Sequence, residues 1–345
     1  MANSITRLGY LRKMRLVAQA ALETFGIHGR FELLRHAGNT LYRVYTSTSE
    51  PTSSFFEPGQ YLLRVHEPGY QSPEAIELEL DWLSVMRRDA DLPVPEPLAA
   101  PDGRFLVEVD VPGILEPRRC SLLRWIKGRS VLKKMMPPHY HAQGRLMARL
   151  HDFSAAWSPP PSPVKRHFDW EGLFVNDVGS GMPNAEAWSL LPPKQHEAFS
   201  AVADQVRDVM ETWGQSRDVY GLIHGDLALD ANLLFSGDQP VAIDFDDSGF
   251  GYHIYDLAVA LEHCWDHIDF HRFHDALLDG YAEVRSLPDQ QVAKLELFIA
   301  ACKIYWNLWA VGGTHLYPRL LPEFQARIER NANLVVGWVE DRSVF

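Results

Sequence analysis

Residues 221–261, GLIHGDLALDANLLFSGDQPVAIDFDDSGFGYHIYDLAVAL, are the most informative stretch of the chain. They hold His224-Gly225-Asp226, an Asn at 232, a β-like run ending in Ile243-Asp244-Phe245, and a later Asp256. Metal-dependent phosphoryl transfer needs such parts. One carboxylate receives the proton of an attacking hydroxyl, while an amide and a second carboxylate hold magnesium. Magnesium takes oxygen ligands and keeps several waters, so a few protein oxygens beside nucleotide phosphates are enough. On this reading Asp226 is the base, and Asn232 and Asp244 are the metal ligands.

The order His-x-Asp, Asn, Asp-Phe follows the catalytic and metal loops of protein kinases. Gly225 in the middle of the triplet, and Asp256-Leu257-Ala258 downstream, resemble the aminoglycoside phosphotransferase and choline kinase family of small-molecule kinases. Within it, FDDSGFGYHIYDLA (245–258) resembles the homoserine-kinase-like and stress-response-kinase-like branch. One spacing departs from the family. Its Asn usually stands five residues after the Asp, as in HGDLHPGN, whereas Asn232 stands six after Asp226. Either a one-residue bulge delivers Asn232 to the metal, or Asp230 takes part of that role.

The resemblance implies an α+β, protein-kinase-like fold of two lobes. Residues 1–123 would form a small β-sheet lobe that binds nucleotide and approaches the hinge. Residues 124–345 would form the larger, mainly helical catalytic and acceptor-binding lobe, with ATP, or GTP, and Mg2+ in the cleft. Arg64, in Leu63-Arg64-Val65, stands where kinases carry the third-strand Lys that grips phosphates, and its planar fork of donors suits that task. Glu79 would position Arg64. Gly38 and Asn39 would turn the phosphate-covering hairpin, and the backbone from Leu123 to Trp125 would meet the base. His224 and Asp256 would support the catalytic loop rather than act in the chemistry. Relatives phosphorylate amino alcohols, aminoglycosides, homoserine or sugars, so a small-molecule acceptor is expected. Alternatives are a protein Ser/Thr kinase of the stress-response type, a nucleotide-binding pseudokinase and, outside the family, a metal-dependent phosphohydrolase.

Periodicity outlines the remainder. A helix runs to about Phe25, and strands are expected at Phe31–Arg35, Leu41–Thr46 and Tyr61–His66, with a flexible stretch over Ser47–Gln60. Ser72-Pro73-Glu74 reads as a helix start, with an N-cap, a first-turn proline and an acid at the positive dipole end. Strands Phe105–Val109 and Cys120–Ile126 follow, then a helix from about Pro138 and a proline-rich loop at Ser158–Pro163. Helices are expected over Lys194–Trp213, Asp256–His263, His271–Arg285, Leu287–Val311 and Pro322–Trp338. His151 reads as structural, and His263, His267, His271 and His274 as rim histidines rather than a zinc site.

The 345 residues allow two domains. A formal charge of −12 argues against a general nucleic-acid binder and is compatible with a cationic acceptor. Three scattered cysteines fit a reduced, cytoplasmic setting. Lys303 and Asn307 interrupt the apolar run from Phe298 to Gly313, which reads as a buried helix rather than a membrane span. Oligomeric state leaves no sequence signal.

Overall fold

Alternation of apolar and polar residues folds the chain after its first helix into an antiparallel hairpin, turned at Gly38 with φ +73°. The computed structural model describes residues 7–47, 55–131, 134–159, 165–176, 181–229 and 231–342. The chain divides into two compact units, Met1–Arg129 with Pro159–Val164 and Leu234–Asp246, and Ser130–Ser158 with Lys165–Leu233 and Asp247–Phe345.

The first unit contains α1 (Arg7–Thr24), β1 (Arg30–Ala37), β2 (Asn39–Tyr45), β3 (Phe56–Val65), α2 (Pro73–Ala90), β4 (Leu106–Val109) and β5 (Arg118–Ile126). The strands form one antiparallel sheet, ordered β1-β2-β3-β5-β4. Helix α1 buries Met14, Val17, Ala18, Ala21 and Leu22, a helical spacing, and Phe25 follows just beyond its end, into the core beside Val44, Leu63 and Val107. Ser72 caps α2 by accepting the Ala75 N–H at 3.1 Å. The sequence reading left Phe56–Gln60 in a flexible stretch, yet β3 begins at Phe56, because Phe55 and Phe56 bury against Ile126 and Val241. The two-stranded sheet of β8 (Leu233–Ser236) and β9 (Gln239–Ala242) falls mostly in this unit. Asp244 thus shares a unit with Arg64 and Glu79.

The second unit is mainly helical: α3 (Pro137–Ala156), α4 (Asn184–Ala187), α5 (Pro193–Trp213), α6 (His253–Glu262), α7 (Phe270–Ala282), α8 (Asp289–Val292), α9 (Leu295–Leu316) and α10 (Leu321–Arg342). It also carries a small sheet ordered β6 (Arg166–Phe168), β10 (Gly249–Tyr252) and β7 (Tyr220–Ile223). The helix expected over Leu287–Val311 is two helices. Leu287 is not helical, as residues before a proline seldom are, and α9 starts afresh at Leu295. Lys303 on α9 is buried and reaches Glu262 Oε1 at 3.3 Å and Asn331 Oδ1 at 3.2 Å, so its charge is compensated. Among the described residues no helix is long and apolar enough to cross a membrane.

Two buried histidines make the fold sensitive to acid. Burial, with Arg64 and Arg119 nearby, drives the His66 imidazole well below its ordinary value. Burial, with His151 and Arg285 nearby, does the same to His253. A ring held neutral when folded but free to protonate when unfolded, at about 6.5, contributes stability that is full above that pH and lost as pH falls toward the folded value. Urea unfolding should therefore give a free energy that declines from pH 7 to pH 5, with a shallower decline in His253→Phe. An equal decline in the variant would remove His253 from the explanation.

Candidate active site

In the first unit, β3 places Arg64 and α2 places Glu79 so that Arg64 Nη1 donates to Glu79 Oε1 at 2.9 Å, both side chains being almost wholly buried. Arg64 Nη2 reaches Asp244 Oδ1 at 3.4 Å. Burial alone would lower the Arg64 guanidinium, but the Glu79, Asp246 and Asp244 carboxylates raise it above its ordinary value. It is a permanent cation. Asp244 adopts a left-handed backbone, φ +65°, which a non-glycine residue rarely takes. Its side chain remains 41% exposed, so the carboxylate can take a further partner. Phe245 anchors this turn by packing edge-on against Trp82 of α2, with ring centroids 5.5 Å apart.

Asn39 ties the hairpin turn down. Its Nδ2 donates to Asp246 Oδ2 at 3.0 Å, and its Oδ1 accepts the Glu67 N–H at 3.0 Å. Gln71 also donates to the Asp246 carbonyl. Beside Arg64 and Asp244 lies a largely apolar cavity of about 210 Å³, whose lining includes Leu41, Leu62, Pro95, Leu123, Trp125 and Ile243. Arg43 covers the Trp125 ring at 4.1 Å and is fixed by Gln60 at 2.9 Å. Between Leu123 and Trp125, the Arg124 N–H donates to the Glu96 carbonyl at 2.9 Å. Leu123 and Trp125 line the cavity on either side of it.

In the second unit, β7 delivers the 224–226 loop. Asp256, fully buried on α6, accepts the His224 N–H at 3.0 Å and the Gly225 N–H at 2.7 Å. His151 Nε2 lies 3.1 Å from Asp256 Oδ2, and its Nδ1 lies 2.9 Å from the Tyr281 hydroxyl. Burial alone would raise the Asp256 carboxyl, but His151, His224 and the Gly225 N–H bring it below its ordinary value. His224 is itself buried and its Nδ1 accepts the Asp226 N–H at 3.3 Å, a supporting position. Gly225 has φ +77°, and a Cβ there would lie 2.5 Å from the Phe168 ring. Gln143 holds the Leu227 carbonyl at 2.7 Å.

The irregular spacing is absorbed in a turn in which the Asn232 N–H bonds the Ala228 carbonyl at 3.1 Å. Asn232 Nδ2 donates to the Asp226 carbonyl at 2.9 Å and to its carboxylate Oδ2 at 2.8 Å. The amide nitrogen is thereby committed to Asp226, and the amide oxygen is left for another partner. Asp230 lies outside the described residues. Among the described residues no group of three or more His, Cys, Asp or Glu side chains could hold a metal unaided. The donors present are hard oxygens, the kind that binds magnesium with phosphates and water completing its shell.

Sequence reasoning read His151 as structural without seeing its link to Asp256, and it missed Tyr281, Gln143 and the Asn39–Asp246 bond. Those partners lie 84 to 207 positions apart and form no local motif.

A model described as phosphotransferase enzyme family, APH, matches residues 36–294. The solved structure of a microcompartment-associated aminopropanol kinase is 27% identical, covers 94% of each chain and has a TM-score of 0.70. A homoserine kinase of Methylobacillus flagellatus is 28% identical over 240 residues, 68% of this chain and 67% of that protein. An amicoumacin kinase, solved with AMP-PNP, Ca2+ and Ami, is 19% identical, covers 94% of this chain and 93% of its own, and has a TM-score of 0.73. Its likeness speaks for the fold.

Gly225→Ala should destabilise the protein by at least about 2 kcal/mol, from the left-handed backbone and the collision with Phe168. Chemical unfolding checks this, and a change below 0.5 kcal/mol, roughly the effect of a neutral surface substitution, would contradict it.

Proposed function

This chain belongs to the phosphotransferase enzyme family, and we propose that it moves the γ-phosphate of ATP to a hydroxyl of a small molecule. Asp226 is the base in this reading, and Asn232 and Asp244 hold Mg2+. The observation that carries it is the Asn232–Asp226 contact, which joins the amide and the carboxylate despite the extra residue between them. An amide that spends its nitrogen on Asp226 keeps the carboxylate oriented and offers its oxygen to a cation.

The chain's own groups divide the work. The cavity beside Leu123 and Trp125 suits a planar base of ATP or GTP, because its lining is mostly apolar and one wall is aromatic. Arg64, held by Glu79, supplies a fixed cation for the phosphates of the nucleotide. Magnesium, when bound, neutralises phosphate charge. Asp226 orients the acceptor hydroxyl and takes its proton as the oxygen attacks phosphorus. The names of the relatives, aminopropanol kinase and homoserine kinase, favour a small amino-bearing alcohol as acceptor. The pseudokinase reading leans on the shifted spacing of Asn232, which nonetheless bonds Asp226.

Turnover of magnesium ATP should be screened over amino alcohols, homoserine, sugars and aminoglycosides. Asp226→Asn should lower kcat about 10²- to 10⁴-fold while nucleotide affinity stays within a few-fold. Near-normal turnover in the folded variant would remove Asp226 from the chemistry.

Asp244→Ala should abolish the gain in nucleotide affinity that magnesium provides, measured by titrating ATP with and without the metal. An undiminished gain would place the cation elsewhere. Asn232→Ala should cost far more activity than Asp230→Ala, with partial rescue by added magnesium, and the reverse ranking would assign the ligand to Asp230.

A further inference from the structure

The loop that carries Asp226 provides no positive charge of its own. Leu227, Ala228 and Leu229 follow the carboxylate, and all three are buried. Yet a phosphoryl group in transfer spreads negative charge over its outer oxygens, and a fixed cation beside them lowers the barrier. The small sheet of the second unit brings one to the same end as Asp226. Strand β10 pairs with β7 so that Gly249 faces Ile223, and with β6 so that Gly249 faces Arg166. One step further along this row come His224 on the β7 side, Ser248 in the middle and Lys165 on the β6 side. Lys165 is 5% exposed, and its Nζ donates to Ser248 Oγ at 3.0 Å. The neighbouring Asp247 carbonyl approaches Gly225, lying 3.1 Å from where a Cβ would stand. Arg166 Nη1 donates to Asp247 Oδ1 at 2.8 Å, which steadies the segment joining these rows.

We infer that Lys165 is a further catalytic residue, an ammonium placed at the Asp226 end of the β6-β10-β7 sheet to stabilise the phosphoryl group in transit. The inference rests on the reading of Asp226 as the base. In the step, the acceptor oxygen forms its bond to the γ-phosphorus while the bond from that phosphorus to the β–γ bridging oxygen breaks. The bridging electrons leave with ADP, and the hydroxyl proton passes to the Asp226 carboxylate. Lys165 forms and breaks no covalent bond. It contributes charge to the non-bridging oxygens, and Ser248 fixes its direction.

The test uses the full chain and magnesium ATP, with 1-amino-2-propanol, L-homoserine and water as acceptors, and compares Lys165→Met, Lys165→Arg and Asp226→Asn. Lys165→Met should lower kcat about 100-fold or more with nucleotide affinity within three-fold of the unmodified protein. Lys165→Arg, which keeps the charge, should stay within about ten-fold. It also decides the matter if Lys165→Met does not fold. Turnover within three-fold in Lys165→Met would overturn the inference, and so would a Lys165→Arg variant as inactive as Asp226→Asn. If Asp226→Asn itself turns over normally, the base assignment fails first. If only Lys165→Met is normal, Lys165 alone is removed.

Discussion

The Asp256 carboxylate organises the loop at 224–226. It has no access to solvent, yet it accepts two successive backbone N–H groups, those of His224 and Gly225, and faces the His151 ring. Two donors on adjacent residues can converge on one carboxylate only when the backbone turns sharply. The left-handed Gly225 supplies that turn, and Phe168 fills the space where a side chain would be. His151 links Asp256 to Tyr281, so α3, α6 and α7 all bear on the loop. Breaking a buried charged contact of this kind typically costs about 3–5 kcal/mol. The same loop carries Asp226, whose carboxylate accepts from the Asn232 amide at 2.8 Å.

The β-rich unit solves a different electrostatic problem. Arg64 is buried and must be compensated, which Glu79 does directly and Asp244 and Asp246 do in part. Asp244 is left with an exposed carboxylate on a left-handed backbone. Such a conformation typically costs about 1–3 kcal/mol and persists only where neighbours enforce it. Here the Phe245–Trp82 contact and the Asn39 and Gln71 bonds to Asp246 do so. Fold stability is spent on holding an anion and a cation beside an apolar cavity.

Much of this was legible in the sequence because the relevant signals are local. Ser72-Pro73 marks the start of α2, the triplet at 224–226 marks the loop, and β-branched and aromatic runs mark β2, β3 and β5. Arg64 and Glu79 were paired through resemblance alone, since Glu77 and Asp81 lie close by and spacing does not choose among them. What escaped was non-local. β10 is the glycine-rich run GFGY, which has little strand propensity. It is a strand because a Cβ at Gly249 would lie 2.3 Å from the Arg166 carbonyl, so only glycine lets β6 approach. Lys165 carries no motif, and its proximity to the loop appears only once β6, β10 and β7 are assembled. The extra residue before Asn232 leaves the spacing open between a bulge and a role for Asp230, and only the folded chain shows the Asn232 N–H bonded to the Ala228 carbonyl.

The dependence of the loop on Asp256 is open to direct measurement. Asp256→Asn keeps the shape but replaces one accepting oxygen by a donor, so either the His224 N–H, bonded to Oδ2, or the Gly225 N–H, bonded to Oδ1, loses its acceptor. Turnover of magnesium ATP with an accepted alcohol should fall by two orders of magnitude or more, while the nucleotide affinity of the folded variant is unchanged. Turnover equal to that of the unmodified protein would contradict the claim that this carboxylate sets the geometry of Asp226 and Asn232.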